Sequence, residues 1–207
     1  MKLLVTAFEP FGGETLNPAL EALNRLGDSI DTVKLIRVEV PTSFKRAPGA
    51  VKRAIEAEAG EKPCAVLMLG QAGGRSALTP ERVAINIASA RIPDNDGFMP
   101  FEEPIVPGGP AAYFSTLPIV KLTEAIREAG LPAAISNSAG TFVCNSLMYG
   151  VLHWLESEHP AIKAGFMHVP YAPEQTAAMA PPQPSMSMDD ITRGVEAALR
   201  ALIMNIK

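Results

Sequence analysis

The chain has 207 residues, a formal net charge of −4 and only 19% charged side chains. That length can bury a sizeable core as one domain over 1–207, and two cysteines cannot make a disulfide framework. No apolar run is long enough to span a bilayer, no Cys/His spacing matches a metal site, and mild acidity without a basic cluster argues against nucleic acid. The expectation is a metal-free cytoplasmic protein with neither membrane nor nucleic acid as partner. So few charges coat a protomer thinly, so some further surface is expected to be buried between subunits.

In chain order, "KLLVTAF" (2–8) reads as a first strand rather than a secretion signal. Asn17 then precedes Pro18, a helix cap followed by proline at the first helical position, with Leu20, Leu23 and Leu26 along one face. "TVKLIRVEV" (32–40) is the second strand. Residues 44–59 have a helical pattern with Pro48 inside it, so the helix either begins there or kinks. "CAVLMLG" (64–70) is the third strand. "ERVAINIA" (81–88) alternates, with Val83, Ile85 and Ile87 on one face, and predicts a strand exposed on one side or running antiparallel.

A helix over 118–129 is closed by Gly130 and Pro132. "AAISNS" (133–138) and "KAGFMHV" (163–169) read as further strands, with a helix opening at Cys144 between them. The last helix starts at Ser187 and aligns Ile191, Val195, Ala198, Leu199 and Leu202. Segments 92–114 and 170–186 read as loops long enough to be functional or interfacial, and the apolar character of the first suits a lid or a subunit contact. Strands alternating with helices predict an α/β domain around a largely parallel sheet.

In such sheets ligands bind at the carboxyl ends of the strands. Phe8 and Phe11 lie at and beyond the end of the first strand, Gln71 follows the third, and His168 closes the last. Glu81 joins the same rim if its strand is antiparallel. Cys144 continues the apolar face of Leu147, Met148 and Val151, so core filler and nucleophile both stand. Its place in a first helical turn favours an anion, where a thiol pKa of about 8.5 can fall to roughly 3.5–7.5.

Cys64 heads an apolar strand and reads as structural. His168 is a core histidine or a base according to what Cys144 does. His153 reads as solvated, and His159 as a partner of its helix's carboxyl end. "GQAGGR" (70–75) lacks dinucleotide-binding spacing and "FGGE" (11–14) lacks a P-loop lysine, so both read as tight turns.

Taken in order, "FEPFGG" (8–13), "GQAGGR" leading to "LTPERVAIN" (78–86), "ARIPDN" (90–95), "AGTFVCN" (139–145) and "HVPYAPEQ" (168–175) resemble the pyrrolidone-carboxylate peptidase family of cysteine peptidases, across essentially the whole chain. The resemblance implies a three-layer α/β/α sandwich around a mostly parallel twisted sheet, no cofactor, a cytosolic location and commonly a homotetramer. It implies peptides with an amino-terminal pyroglutamate as substrates. It places a catalytic triad on Cys144, His168 and Glu81, oxyanion donors on Arg91 and the Cys144 N–H, and a ring pocket on Phe8, Phe11, Gln71, Phe142 and Val143. Two alternatives stay open: Glu9 or Glu102 could orient the histidine in place of Glu81, and Arg91 could pair with Asp94 or Asp96. A different thiol amidase and a nucleotide-binding module using the glycine turns are the rival readings. The chain departs from the resemblance at Pro48 and in "MAPPQPSMSM" (179–188), which bear on loop shape and subunit packing.

Overall fold

The computed structural model describes residues 1–206. Its strands are β1 (Lys2–Phe8), β2 (Ser29–Ile30), β3 (Val33–Val40), β4 (Ala65–Gln71), β5 (Thr79–Pro80), β6 (Val83–Ile85), β7 (Ala112–Phe114) and β8 (Lys163–Val169). Its helices are α1 (Pro18–Arg25), α2 (Ala47–Ala57), α3 (Ile119–Glu128), α4 (Val143–Glu158), α5 (Pro173–Thr176) and α6 (Met188–Asn205). Six strands form one sheet in the order β2-β3-β1-β4-β8-β5. The four central strands are parallel, and the two-residue strands at each border are antiparallel.

The central strands are apolar runs because both faces of the sheet are covered. In β1 the alternation is strict. Leu3, Val5 and Ala7 enter one core with α1, α3 and α6, while Leu4 and Phe8 enter the other with α2 and α4. Two cores separated by one sheet make the three-layer sandwich expected from the resemblance. The chain passes from β1 to β3 on one side and then, through α2, to β4 on the other side of β1, so a crevice opens beside the carboxyl end of β1.

Local signals set several boundaries. The Asn17 side chain accepts from the Ala19 N–H at 3.0 Å, and Pro18 occupies the first turn of α1. Pro48 stands second in α2, so that helix begins at the proline rather than bending around it, and 44–46 lie outside. The Ser187 hydroxyl accepts from Asp190 N–H at the start of α6.

Two predicted strands need correction. Residues 133–138 do not form a strand; they make only isolated parallel bridges, Leu78 to Ala133 and Glu81 to Ser136. Hydrogen bonds do run between the segments, from Ala134 N–H to Leu78 O, Ser136 N–H to Pro80 O and Arg82 N–H to Ser136 O. Pro80 has no N–H to supply the rung between them, so the ladder is interrupted.

Residues 81–88 are also not one strand. Residues 79–80 pair antiparallel with β8, whereas 83–85 leave the sheet and pair antiparallel with β7 in a separate ribbon. The antiparallel direction is as expected; the continuity is not. Within the predicted loops, 112–114 are that ribbon's second strand and 173–176 make a short helix.

Candidate active site

Three elements deliver the chemistry. β8 carries His168 at its penultimate position, paired in register with Gly70 of β4. Glu81 follows β5, and its N–H donates to Phe166 O of β8 at 2.8 Å, which fixes it one residue beyond the antiparallel pairing. Cys144 is the second residue of α4. No side chain caps α4 at Phe142, so the leading N–H groups of the helix remain available.

Glu81 is completely buried and His168 is 4% exposed. His168 Nδ1 lies 2.7 Å from Glu81 Oε1. An ionised carboxylate can only accept, so Nδ1 carries the hydrogen and Nε2 is left as the basic nitrogen. Burial would raise the Glu81 pKa, but His168, the nearby Ser136 hydroxyl and Arg75 together hold it below the ordinary glutamate value. Burial also pushes His168 below its ordinary value, against the pull of Glu81.

Cys144 is half-buried and lines the same cleft as His168. Its sulfur lies over bare strand: a methyl on Gly70 would come 3.1 Å from Cys144 Sγ and 2.7 Å from the Phe166 ring. Burial pushes the thiol up to about 12, the Glu81 carboxylate adds to this, and Arg75 opposes it. The helix terminus, which from position alone favours a depressed thiol, is thus opposed by burial.

The cleft measures about 720 Å³, and its lining includes Phe8, Phe11, Gln71, Arg91, Phe142 and Val143 together with Cys144 and His168. Phe11 and Phe142 rings stand 6.1 Å apart, and Phe44 braces Phe142 edge-on at 5.3 Å. Every pocket residue singled out in the sequence thus meets in one cavity.

The alternatives close on geometry. The Glu9 carboxylate accepts from Thr42 N–H and Asn95 Nδ2, and Glu102 is exposed with φ 52°. Arg91 pairs with neither aspartate. Asp94 accepts from the backbone N–H groups of Phe44, Asp96 and Phe98, and Asp96 is held by Arg46 and Ser43. His153 is not solvated as predicted; its Nδ1 meets the Tyr113 hydroxyl at 2.9 Å and its ring stacks on Tyr149. His159 pairs with Glu56 at the end of α4. Cys64 packs against the first core and donates to Lys2 O.

Two site residues escaped the sequence reading. Asn145, completely buried, donates to Ile85 O and Ile87 O and accepts from Ile85 N–H, all at 2.9 Å, so it rivets the start of α4 to β6. An asparagine inside a helical apolar face was the available signal. Arg75 donates to Glu81 Oε1 at 2.6 Å; in the sequence it reads only as the end of a glycine turn.

No helix among the described residues is long and apolar enough to cross a membrane. The family described as Pyroglutamyl peptidase matches residues 1–205. A protein of Lactobacillus johnsonii named pyrrolidone-carboxylate peptidase is 53% identical over 203 residues, covering 98% of this chain and 93% of its own. One of the same name from Levilactobacillus brevis is 50% identical, covering 99% and 98%. Among solved structures, pyroglutamyl peptidase I of Bacillus amyloliquefaciens superposes with a TM-score of 0.94 at 44% identity, covering 100% of this chain and 98% of that one. A variant of pyrrolidone carboxyl peptidase from Pyrococcus furiosus gives 0.93 at 40% identity, with complete coverage of both chains. With the site geometry and these likenesses in agreement over the full length, the chain belongs to the pyroglutamyl peptidase family, a family of hydrolases.

Proposed function

We propose that this enzyme removes an amino-terminal 5-oxoproline from peptides through a thioester on Cys144. The observation that carries this reading is the buried Glu81–His168 pair opening onto the same aromatic cleft as a cysteine at a helix N-terminus. The Cys144 sulfur attacks the carbonyl joining the lactam ring to the next residue, and its proton passes to His168 Nε2. Charge on the carbonyl oxygen is met by the Cys144 N–H and by Arg91, donors that can each be worth about 3–4 kcal/mol when preorganised. His168 then protonates the departing amine. Water, deprotonated by the same nitrogen, releases pyroglutamate and restores the thiol. Glu81 holds the tautomer and stabilises the imidazolium while it exists.

The ring pocket supports the substrate. Phe8, Phe11 and Phe142 can enclose a neutral lactam, whereas the ammonium of an ordinary peptide would be buried there unpaired. Gln71 Oε1 accepts from Gln175 at 3.0 Å, which leaves the Gln71 NH₂ to donate to the lactam carbonyl. A proline ring lacks that carbonyl. Hydrolysis of pyroglutamyl- and prolyl-coupled fluorophores by wild type and Cys144→Ser tests the reading. Wild type should prefer the pyroglutamyl compound, and the variant should lose at least about a thousandfold in kcat. Equal activity of the two proteins would remove the nucleophile.

Assembly into a homotetramer in the cytoplasm completes the proposal. Support comes from large apolar side chains left in solvent, among them Phe101 at 80% and Phe114 at 67% exposure.

A further inference from the structure

The glycine-rich turn after β4 has no part in the chemistry above. The hydroxyl end of the Tyr171 ring fills the space that a side chain on Gly73 would occupy, and Gly74 adopts φ +83°, a backbone region that favours glycine. This turn returns Arg75 to the sheet edge. The Arg75 Nη1 donates to Thr79 Oγ1 and Glu81 Oε1, and Nη2 donates to the Ser138 carbonyl at 3.3 Å.

Glu81 Oε1 is the same atom that meets His168 Nδ1, while Glu81 Oε2 is buried with no hydrogen-bond partner. The nearby Ser136 hydroxyl donates instead to Ser138 O. The hydrogen bonds to the carboxylate therefore converge on one oxygen, from Arg75 and the imidazole, while the Ser136 hydroxyl favours its ionised form from nearby without bonding to it. We propose that Arg75 is a positioning residue: its guanidinium, tied to Thr79, Glu81 and Ser138, fixes the carboxylate that orients the His168 ring. This rests on the peptidase reading above.

The charged groups acting on the imidazole are Glu81 after β5 and Arg75 from the turn after β4, with Cys144 at the head of α4 and Arg91 lining the same cleft. Arg75 favours the ionised carboxylate and the neutral imidazole. Without it, both groups would keep their protons to higher pH, so the acid limb of kcat/KM moves upward. A residue that only braces the turn would leave that limb in place.

The test compares Arg75→Met, Arg75→Lys, Glu81→Gln and the Glu81→Gln/Arg75→Met double variant on a pyroglutamyl-coupled fluorophore across the pH range. Arg75→Met should lose about tenfold or more in kcat with little change in KM, and Arg75→Lys should regain part of it. In the Glu81→Gln background the added Arg75→Met change should cost less than about threefold. An unmoved acid limb in Arg75→Met, or a loss that multiplies in full on Glu81→Gln, overturns the proposal. Should Arg75→Met fail to fold, Arg75→Gln is judged by the same two criteria. Full activity in Cys144→Ser would instead sink the thioester reading on which the proposal rests. Inactive Cys144→Ser and impaired Glu81→Gln beside a wild-type Arg75→Met would sink the Arg75 proposal alone.

Discussion

The sulfur of Cys144 stands over Gly70, where the strand offers backbone and no side chain, and behind it lies the ring of Phe166. That seating shields it in part from water and makes its proton harder to lose. The consequence for reactivity has a definite sign. A thiol raised above its ordinary value should alkylate slowly with iodoacetamide at neutral pH and faster as pH rises. Turnover should instead begin where His168 becomes neutral, below the ordinary imidazole value of about 6.5. Rapid, pH-independent alkylation between about pH 5 and 8 would reveal a preformed thiolate–imidazolium pair and overturn this account. Identity and position of Cys144, His168 and Glu81 were legible in the residues. Their protonation was not, because burial is a property of the packed site and a helix terminus is visible in sequence while the dehydration opposing it is not.

α4 is aimed by its third residue, Asn145, whose amide takes up three backbone groups of the segment leaving the sheet. Asn145→Ala would strand those buried groups at a cost of roughly 1–3 kcal/mol for each left unpaired, offset where water enters. Urea unfolding should show that loss, and kcat should fall with it, since the helix that carries Cys144 loses its tether. An unchanged unfolding midpoint would refute the role. The helices were readable because caps and prolines are local: Asn17 and Pro48 each mark a start. The long central strands were readable because continuous burial leaves an apolar run. The failures share a cause. Residues 133–138 have strand-like composition, but their pairing depends on a missing N–H fifty residues upstream, at Pro80. Residues 81–88 alternate as a strand does, yet the chain changes partners after Glu81, and no local pattern encodes that exchange.

At the scale of the molecule, a thin coat of charge and exposed Met99, Phe101 and Phe114 argue for a protein that covers part of its surface with copies of itself. Sedimentation should give four times the protomer mass, and Phe114→Glu should shift the distribution toward smaller species with a lower melting temperature at equal concentration. A wild-type protein sedimenting as a lone protomer would refute the assembly. The sheet itself dictates how such copies can meet. Each border is a reversed strand of only two residues, too brief to template the backbone of a neighbour. Growth by strand addition, the usual road to fibres, is thereby closed at both ends. Association is left to side-chain surfaces, which can be matched, limited in number and undone.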